Sequence, residues 1–229
     1  MTAEQRRLYE EFLAASRQGL LKKVELEGQN KHRLAIFEVL LRLRQIACHP
    51  LLVGHLTSEN CGSGKMDALF MDLEAIREEG KKALIFSQFA SMLHLIAREL
   101  SAQGIPFCLL EGATVNREEE VRRFQEDPNV PIFLMTLKAG GVGLNLTAAD
   151  YVLLYDPWWH EAAEAQAISR AHRIGQKKPV LAKRYIVAES VEEKLLTLKK
   201  AKKALFSSLI EGDLSGPELS LDDLAFLLK

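Results

Sequence analysis

Residues 131–156 read PIFLMTLKAGGVGLNLTAADYVLLYD, two short apolar runs on either side of a loop with glycine at three of four successive positions. Runs of this length suit strands buried on both faces rather than helices. The same kind of run recurs as KALIFS at 82–87, PFCLL at 106–110 and VLAKRYIV at 180–187. Between them lie amphipathic stretches of helical period: KMDALFMDLEAIREEG, stopped by Gly80, SMLHLIARELSAQG, stopped by Gly104, and REEEVRRFQED, ending before Pro128. Alternation of this kind specifies an α/β fold, a parallel sheet of about five or six strands with helices on both faces. Ligands on such sheets bind beyond the carboxyl ends of the strands.

The first 60 residues differ in character. Thr2 is placed to cap a helix carrying Leu8, Phe12 and Leu20, and a second helical stretch carries Leu34, Phe37, Leu40, Leu41 and Leu43. That stretch ends at Cys48-His49-Pro50, where the proline disfavours continuation, and a polar connector follows at 57–64. The expected organisation is a helical segment at 1–60, the α/β lobe at 61–205, and a tail at 206–229 with one short helix. The lysine-rich helix that ends the lobe, SVEEKLLTLKKAKKALFSSLI, is read as packing on it with solvated lysines.

The chain has 229 residues, 48% hydrophobic content and a net charge of −1. That is enough to bury a full core, but not the charge of a bulk nucleic-acid binder, so any DNA contact must be a local groove. Three cysteines without a C-x-x-C pair speak for a reducing compartment. Cys48, His49, His55 and Cys61 match no common zinc spacing and are read as structural, with no metal assigned. No apolar run is long enough for a membrane span, and the polar start is not a signal peptide. A soluble, intracellular protein without a membrane partner is expected.

Two loops and one helix carry the chemistry. In QAISRAHRIGQ at 166–176, Gln166, Arg170 and Arg173 fall on one helical face, where guanidiniums suit phosphate oxygens and an amide suits a base or ribose. The glycine loop, which includes Gly141, Gly143 and Asn145, lets the backbone approach an anion. Ser87 and Gln88 end the run ALIFSQ, and Thr136 and Lys138 end PIFLMT and open the loop. These four are candidates for contact with a sugar–phosphate backbone. Read alone, the Ser87–Gln88 pair is an ordinary helix cap.

The chain as a whole resembles the C-terminal RecA-like lobe of a Swi2/Snf2-family ATPase of helicase superfamily 2. LIFSQF matches motif IV, TLKAGGVGLNLTAAD motif V and QAISRAHRIGQ motif VI, while LRLRQIACHPLL and DPWWH resemble two further family blocks. Ser169 stands where an acidic residue is usual, His160-Glu161 replaces Asn-Pro, and the DPWW form points to bacterial or archaeal members. The resemblance implies the second motor lobe of an ATP-dependent double-stranded DNA translocase or remodeller. Arg170 and Arg173 would serve as arginine fingers, Gln166, Gly141, Gly143 and Asn145 would lie near the nucleotide, and Ser87, Gln88, Thr136 and Lys138 would grip DNA. It further implies ATP with Mg²⁺ bound mainly by an N-terminal RecA-like lobe, and a DNA-bound protein as substrate. The compartment would be cytoplasm or nucleoid in a bacterial or archaeal cell and the nucleus in a eukaryotic one.

A complete NTPase also needs a phosphate loop and paired acids for Mg²⁺. Gly62-Ser63-Gly64-Lys65-Met66 lacks the magnesium hydroxyl, and Asp156 is followed by Pro157 rather than a second acid, so both are decoys. The lobe alone is therefore expected to be inactive. A DNA- or protein-binding module without hydrolysis, and half of a strand-separating helicase, are the alternative readings.

Overall fold

A computed structural model describes residues 1–27, 29–56, 61–112, 114–136, 144–156, 161–171, 179–201 and 221–229. The chain divides into two compact units, Met66–Tyr185 and a second made of Met1–Lys65 with Ile186–Lys229.

The first of these is the α/β lobe. Its strands are β1 (Ala83–Ser87), β2 (Phe107–Leu110), β3 (Ile132–Thr136), β4 (Tyr151–Leu154) and β5 (Leu181–Arg184). They form one sheet in the order β2-β3-β1-β4-β5 with every pairing parallel. The expected RecA-like class holds. The three inner strands are the apolar runs of the sequence, and every residue of β1 and β3 is buried. Successive side chains point to opposite faces. Leu84, Phe86, Phe133, Met135, Val152 and Leu154 accordingly form one core layer with Phe124, Ala167 and Ala171 from the helices. The alternate residues Ile85, Leu134 and Leu153 are as fully buried on the other face.

Local chemistry sets the helix ends. The helix of 64–78 is followed by Gly80 at φ 65°, the next, Ala90–Ala102, by Gly104 at φ 66°. Only glycine adopts this left-handed conformation without strain, and it lets the next amide turn back: Lys81 N–H donates to the Ile76 carbonyl at 3.0 Å and Ile105 N–H to Leu100 at 2.9 Å. Helix Arg117–Glu126 ends where the Lys82 ammonium donates to the Phe124 and Asp127 carbonyls at 2.5 and 2.7 Å. Burial holds that ammonium below its usual pKa. Strand β5 is shorter than the run VLAKRYIV, and all four of its residues are exposed because it closes the sheet as an edge. Beside it Lys183 and the Tyr185 hydroxyl both bond Asp72.

The second unit is helical. We number helices in chain order: α1 (Ala3–Glu27), α2 (Gln29–Cys48), α3 (Gly64–Glu78), α4 (Ala90–Ala102), α5 (Arg117–Glu126), α6 (Glu161–Ala171), α7 (Val191–Ala201) and α8 (Leu221–Leu227), with a 3-10 turn at Pro50–Leu56. Thr2 caps α1 as the sequence predicts, its hydroxyl accepting Gln5 N–H while the Gln5 carboxamide accepts Thr2 N–H, both at 3.2 Å. The unit joins residues 1–65 with 186–229, and within it helix α7 packs on α2 and α8. The reason is a set of long-range contacts: Val191 N–H donates to the buried Tyr9 hydroxyl at 2.7 Å, and Arg6 donates to the Ala188 and Glu189 carbonyls at 3.2 and 3.0 Å. Glu189 takes φ 54°, a strained position for a side-chain-bearing residue, and Arg6 and Glu193 both hold it there.

Candidate functional site

Within the α/β lobe the carboxyl ends of the central strands gather most of the described residues that the sequence singles out. β1 and β3 pair in register down to Ser87 against Thr136, so two of the proposed backbone-gripping positions lie side by side at adjacent strand tips. Asp156 follows β4 at the same edge and is fully buried. Its carboxylate accepts Ser87 Oγ–H at 2.5 Å and Gln88 N–H at 3.0 Å, and Ser87 Oγ in turn accepts Phe89 N–H at 3.1 Å.

Ser87 is fully buried and its hydroxyl donates to Asp156, so it braces the β1–α4 turn from within. Gln88 is half-buried and Thr136 is 9% exposed. Lys138, Gly141 and Gly143 lie outside the described residues, as do Arg173 and the two tryptophans of DPWWH.

Helix α6 runs Glu161–Ala171, so Gln166 and Arg170 stand one turn apart on it, as the four-residue spacing predicts. Arg170 is only 3% exposed, and its Nη1 lies 3.9 Å from Met135 Sδ, one residue short of the tip of β3. A guanidinium has thus been carried under the sheet edge where the glycine-rich loop begins. The exit of that loop is fixed to the same helix: Leu146 N–H donates to the Arg170 carbonyl at 2.9 Å, and Asn145 follows the outer side of the turn with its side chain exposed. Arg170 and the end of the loop are one hydrogen-bonded block.

Sequence reasoning missed two residues of this edge. Asp156 was visible as an acid at a strand end, but its role as an acceptor for the β1 turn needed the neighbouring strand. Gln125, near the end of α5, gave no signal at all. Its Oε1 accepts Ala148 N–H at 2.7 Å and its Nε2 donates to the Asn145 carbonyl at 3.1 Å.

In the helical unit, the decoy phosphate loop is resolved in a positive way. The Lys65 ammonium is buried and lies 2.6 and 2.7 Å from the two carboxylate oxygens of buried Glu192, which also accepts Val187 N–H at 3.0 Å. A lysine committed in this manner does not cradle a phosphate. Cys48 Sγ sits beside the same pair, 3.7 Å from Glu192, and Ser63 donates to the Cys48 carbonyl at 2.7 Å. A cavity of about 420 Å³ in the α/β lobe is bounded by Arg77, Glu78, Lys81, Lys82 and Pro131. It lies at the amino ends of β1 and β3, away from the strand tips, and its mixed charges favour no single ligand sign.

Residues 65–175 match the family described as helicase conserved C-terminal domain. The chain is 44% identical over 167 residues to DNA repair protein RAD5 of Cryptococcus neoformans, covering 71% of this chain and 14% of that protein. It is 39% identical over 172 residues to the ATP-dependent helicase rhp16 of Schizosaccharomyces pombe, covering 73% and 20%. RAD5A of Arabidopsis thaliana, also called a DNA repair protein, is 41% identical over 150 residues, covering 65% and 15%. The chain thus spans only a small part of the length of each of these relatives. They are fungal and plant proteins, which leaves the expectation of a bacterial or archaeal type without support. Among solved structures, the C-terminal domain of the Sulfolobus solfataricus SWI2/SNF2 ATPase superposes with a TM-score of 0.74 at 29% identity, covering 99% of this chain and 93% of that one. The core of the same ATPase in complex with double-stranded DNA gives 0.80 at 29% identity, covering 99% and 48%.

Proposed function

From a helicase conserved C-terminal domain over residues 65–175, on the RecA-like fold of a Swi2/Snf2 C-terminal lobe, we propose that this chain is the second motor lobe of an ATP-dependent double-stranded DNA translocase. The observation that carries this reading is the block at the sheet edge, where Leu146 N–H bonds the Arg170 carbonyl and ties the glycine loop to the arginine helix. A loop that admits close backbone approach and a helix bearing guanidiniums meet where α/β sheets bind their ligands.

The residues present fit the charge of a triphosphate rather than its metal. Asp156, the described acid at this edge, accepts hydrogen bonds from Ser87 and Gln88, and Lys65 is paired with Glu192. Mg²⁺ and most of the nucleotide contacts therefore fall to an N-terminal RecA-like lobe of the same polypeptide. This chain supplies positive charge: Arg173 and Arg170 reach the transferring phosphoryl as the lobes close, with Gln166, Gly141, Gly143 and Asn145 lining the nucleotide. Because Arg170 starts buried against Met135, closure must draw it out or leave the finger role to Arg173. Fixed cations of this kind accelerate phosphoryl transfer by about 10³- to 10⁵-fold, because they meet charge that develops in the transition state.

On DNA, Gln88, Thr136 and Lys138 contact the sugar–phosphate backbone while buried Ser87 sets the turn that presents them. Contacts of that kind carry no sequence readout, which suits a motor that steps along any duplex. The relatives named for DNA repair support a nuclear setting for the intact protein, whose substrate we read as a DNA-bound protein. The division of labour has a direct test. Purified residues 1–229 should hydrolyse no ATP above background, with or without duplex DNA, and robust turnover by this chain alone would contradict it.

A further inference from the structure

Gln125 lies outside every motif of the sequence, yet it uses both ends of its carboxamide on the segment that leaves the glycine loop. Oε1 accepts Ala148 N–H at 2.7 Å; Nε2 donates to the Asn145 carbonyl at 3.1 Å and reaches Thr147 Oγ1 at 3.4 Å. These two backbone contacts bracket Leu146, whose side chain is fully buried and whose N–H bonds the Arg170 carbonyl at 2.9 Å. Leu146 also accepts Ala149 N–H at 3.1 Å, closing the turn that leads into β4. A rigid turn would need only the last of these bonds. The carboxamide adds something different, because it ties the turn to α5, a helix that packs along β2 and through Phe124 on Phe133 of β3.

We propose that Gln125 is a positioning residue for hydrolysis, setting the register between the exit of the glycine loop and the helix that bears Arg170 and leads to Arg173. The inference rests on the motor-lobe reading for its consequence, though not for its geometry. An amide is the side chain this bracket requires: it must accept from an N–H and donate to a C=O a short distance further along one strand of backbone. A carboxylate of the same length satisfies the first contact and turns the second into a repulsion between oxygens. Displacement of the loop by a fraction of the length of one bond would then misplace the guanidiniums, and near-attack geometry is sensitive at that scale.

The test uses the intact parent polypeptide carrying Gln125→Glu, beside wild type and Arg173→Ala. The kcat for DNA-stimulated hydrolysis should fall about tenfold or more. The KM for ATP and the affinity for duplex DNA should move less than kcat, within about twofold, since Gln125 itself touches neither ligand. Hydrogen exchange at the Leu146 amide should quicken about tenfold as the turn loosens. Wild-type kcat in the variant would overturn the proposal, and so would a fall in kcat matched by loss of DNA affinity and of thermal stability, which would mark a general prop of the fold. The exchange measurement stands apart from turnover. If Arg173→Ala leaves hydrolysis intact, the motor-lobe reading fails, while unchanged exchange at Leu146 would overturn the bracket itself.

Discussion

At the scale of single residues, burial decides what a side chain can do, and the sequence shows burial only indirectly. Ser87 is polar at a strand tip and was open to two readings; the structure gives its hydroxyl to Asp156 and takes it out of solvent. Cys108, in the core layer of the sheet, shows the same effect on reactivity. Burial first, then the neighbouring Glu120 carboxylate, pushes its thiol from 9.0 up to about 12. The thiolate is the nucleophile, so Cys108 should resist iodoacetamide at pH 8 in the native protein and react on unfolding. The raised value also has a sign for stability. The folded state binds the thiol proton more tightly, so the contribution is complete below pH 9.0 and is lost as pH rises from there through about 12. The stability advantage of wild type over Cys108→Ala should shrink across that window in denaturant titrations. Of the candidate residues, Gln166 and Arg170 were legible because helical spacing is a local property. Asp156 and Gln125 were not, since their roles depend on which strand or loop lies alongside.

At the scale of elements, most helix stops were written in the chain. Gly80 and Gly104 end their helices by a conformation that other residues adopt only under strain, and the Thr2–Gln5 capping box begins α1. What the chain did not disclose is where α7 belongs. Its place with α1 and α2 comes from pairs such as Tyr9 with Val191 and Lys65 with Glu192, far apart in sequence and without periodic signature. The Lys65–Glu192 pair gives this packing a measurable consequence. Both side chains are almost wholly buried, so removing one partner leaves a charge without its counterion in a place water does not reach. Lys65→Met should cost about 3–5 kcal/mol in urea unfolding, and the double variant Lys65→Met with Glu192→Leu should recover much of that loss. A loss below about 1 kcal/mol for the single variant would show the pair to be no more than a surface-like contact.

For the whole molecule, the alternation of apolar runs and amphipathic stretches was sufficient to specify the parallel sheet, whose order β2-β3-β1-β4-β5 sets the tips of β1 and β3 side by side. The unit boundary was less legible, because the helical unit is assembled from both ends of the chain. On the proposed reading, function at this scale is a division of labour: one lobe holds the nucleotide and its metal, and this one brings guanidiniums and a grip on DNA. No described helix is long and apolar enough to cross a membrane. The decisive measurement is ATP hydrolysis by the intact parent polypeptide, with and without duplex DNA, for wild type and Arg173→Ala. The motor-lobe account predicts strong stimulation by DNA that falls by about 10³-fold or more in the variant. Hydrolysis indifferent to DNA, or unchanged when Arg173 is removed, would contradict it.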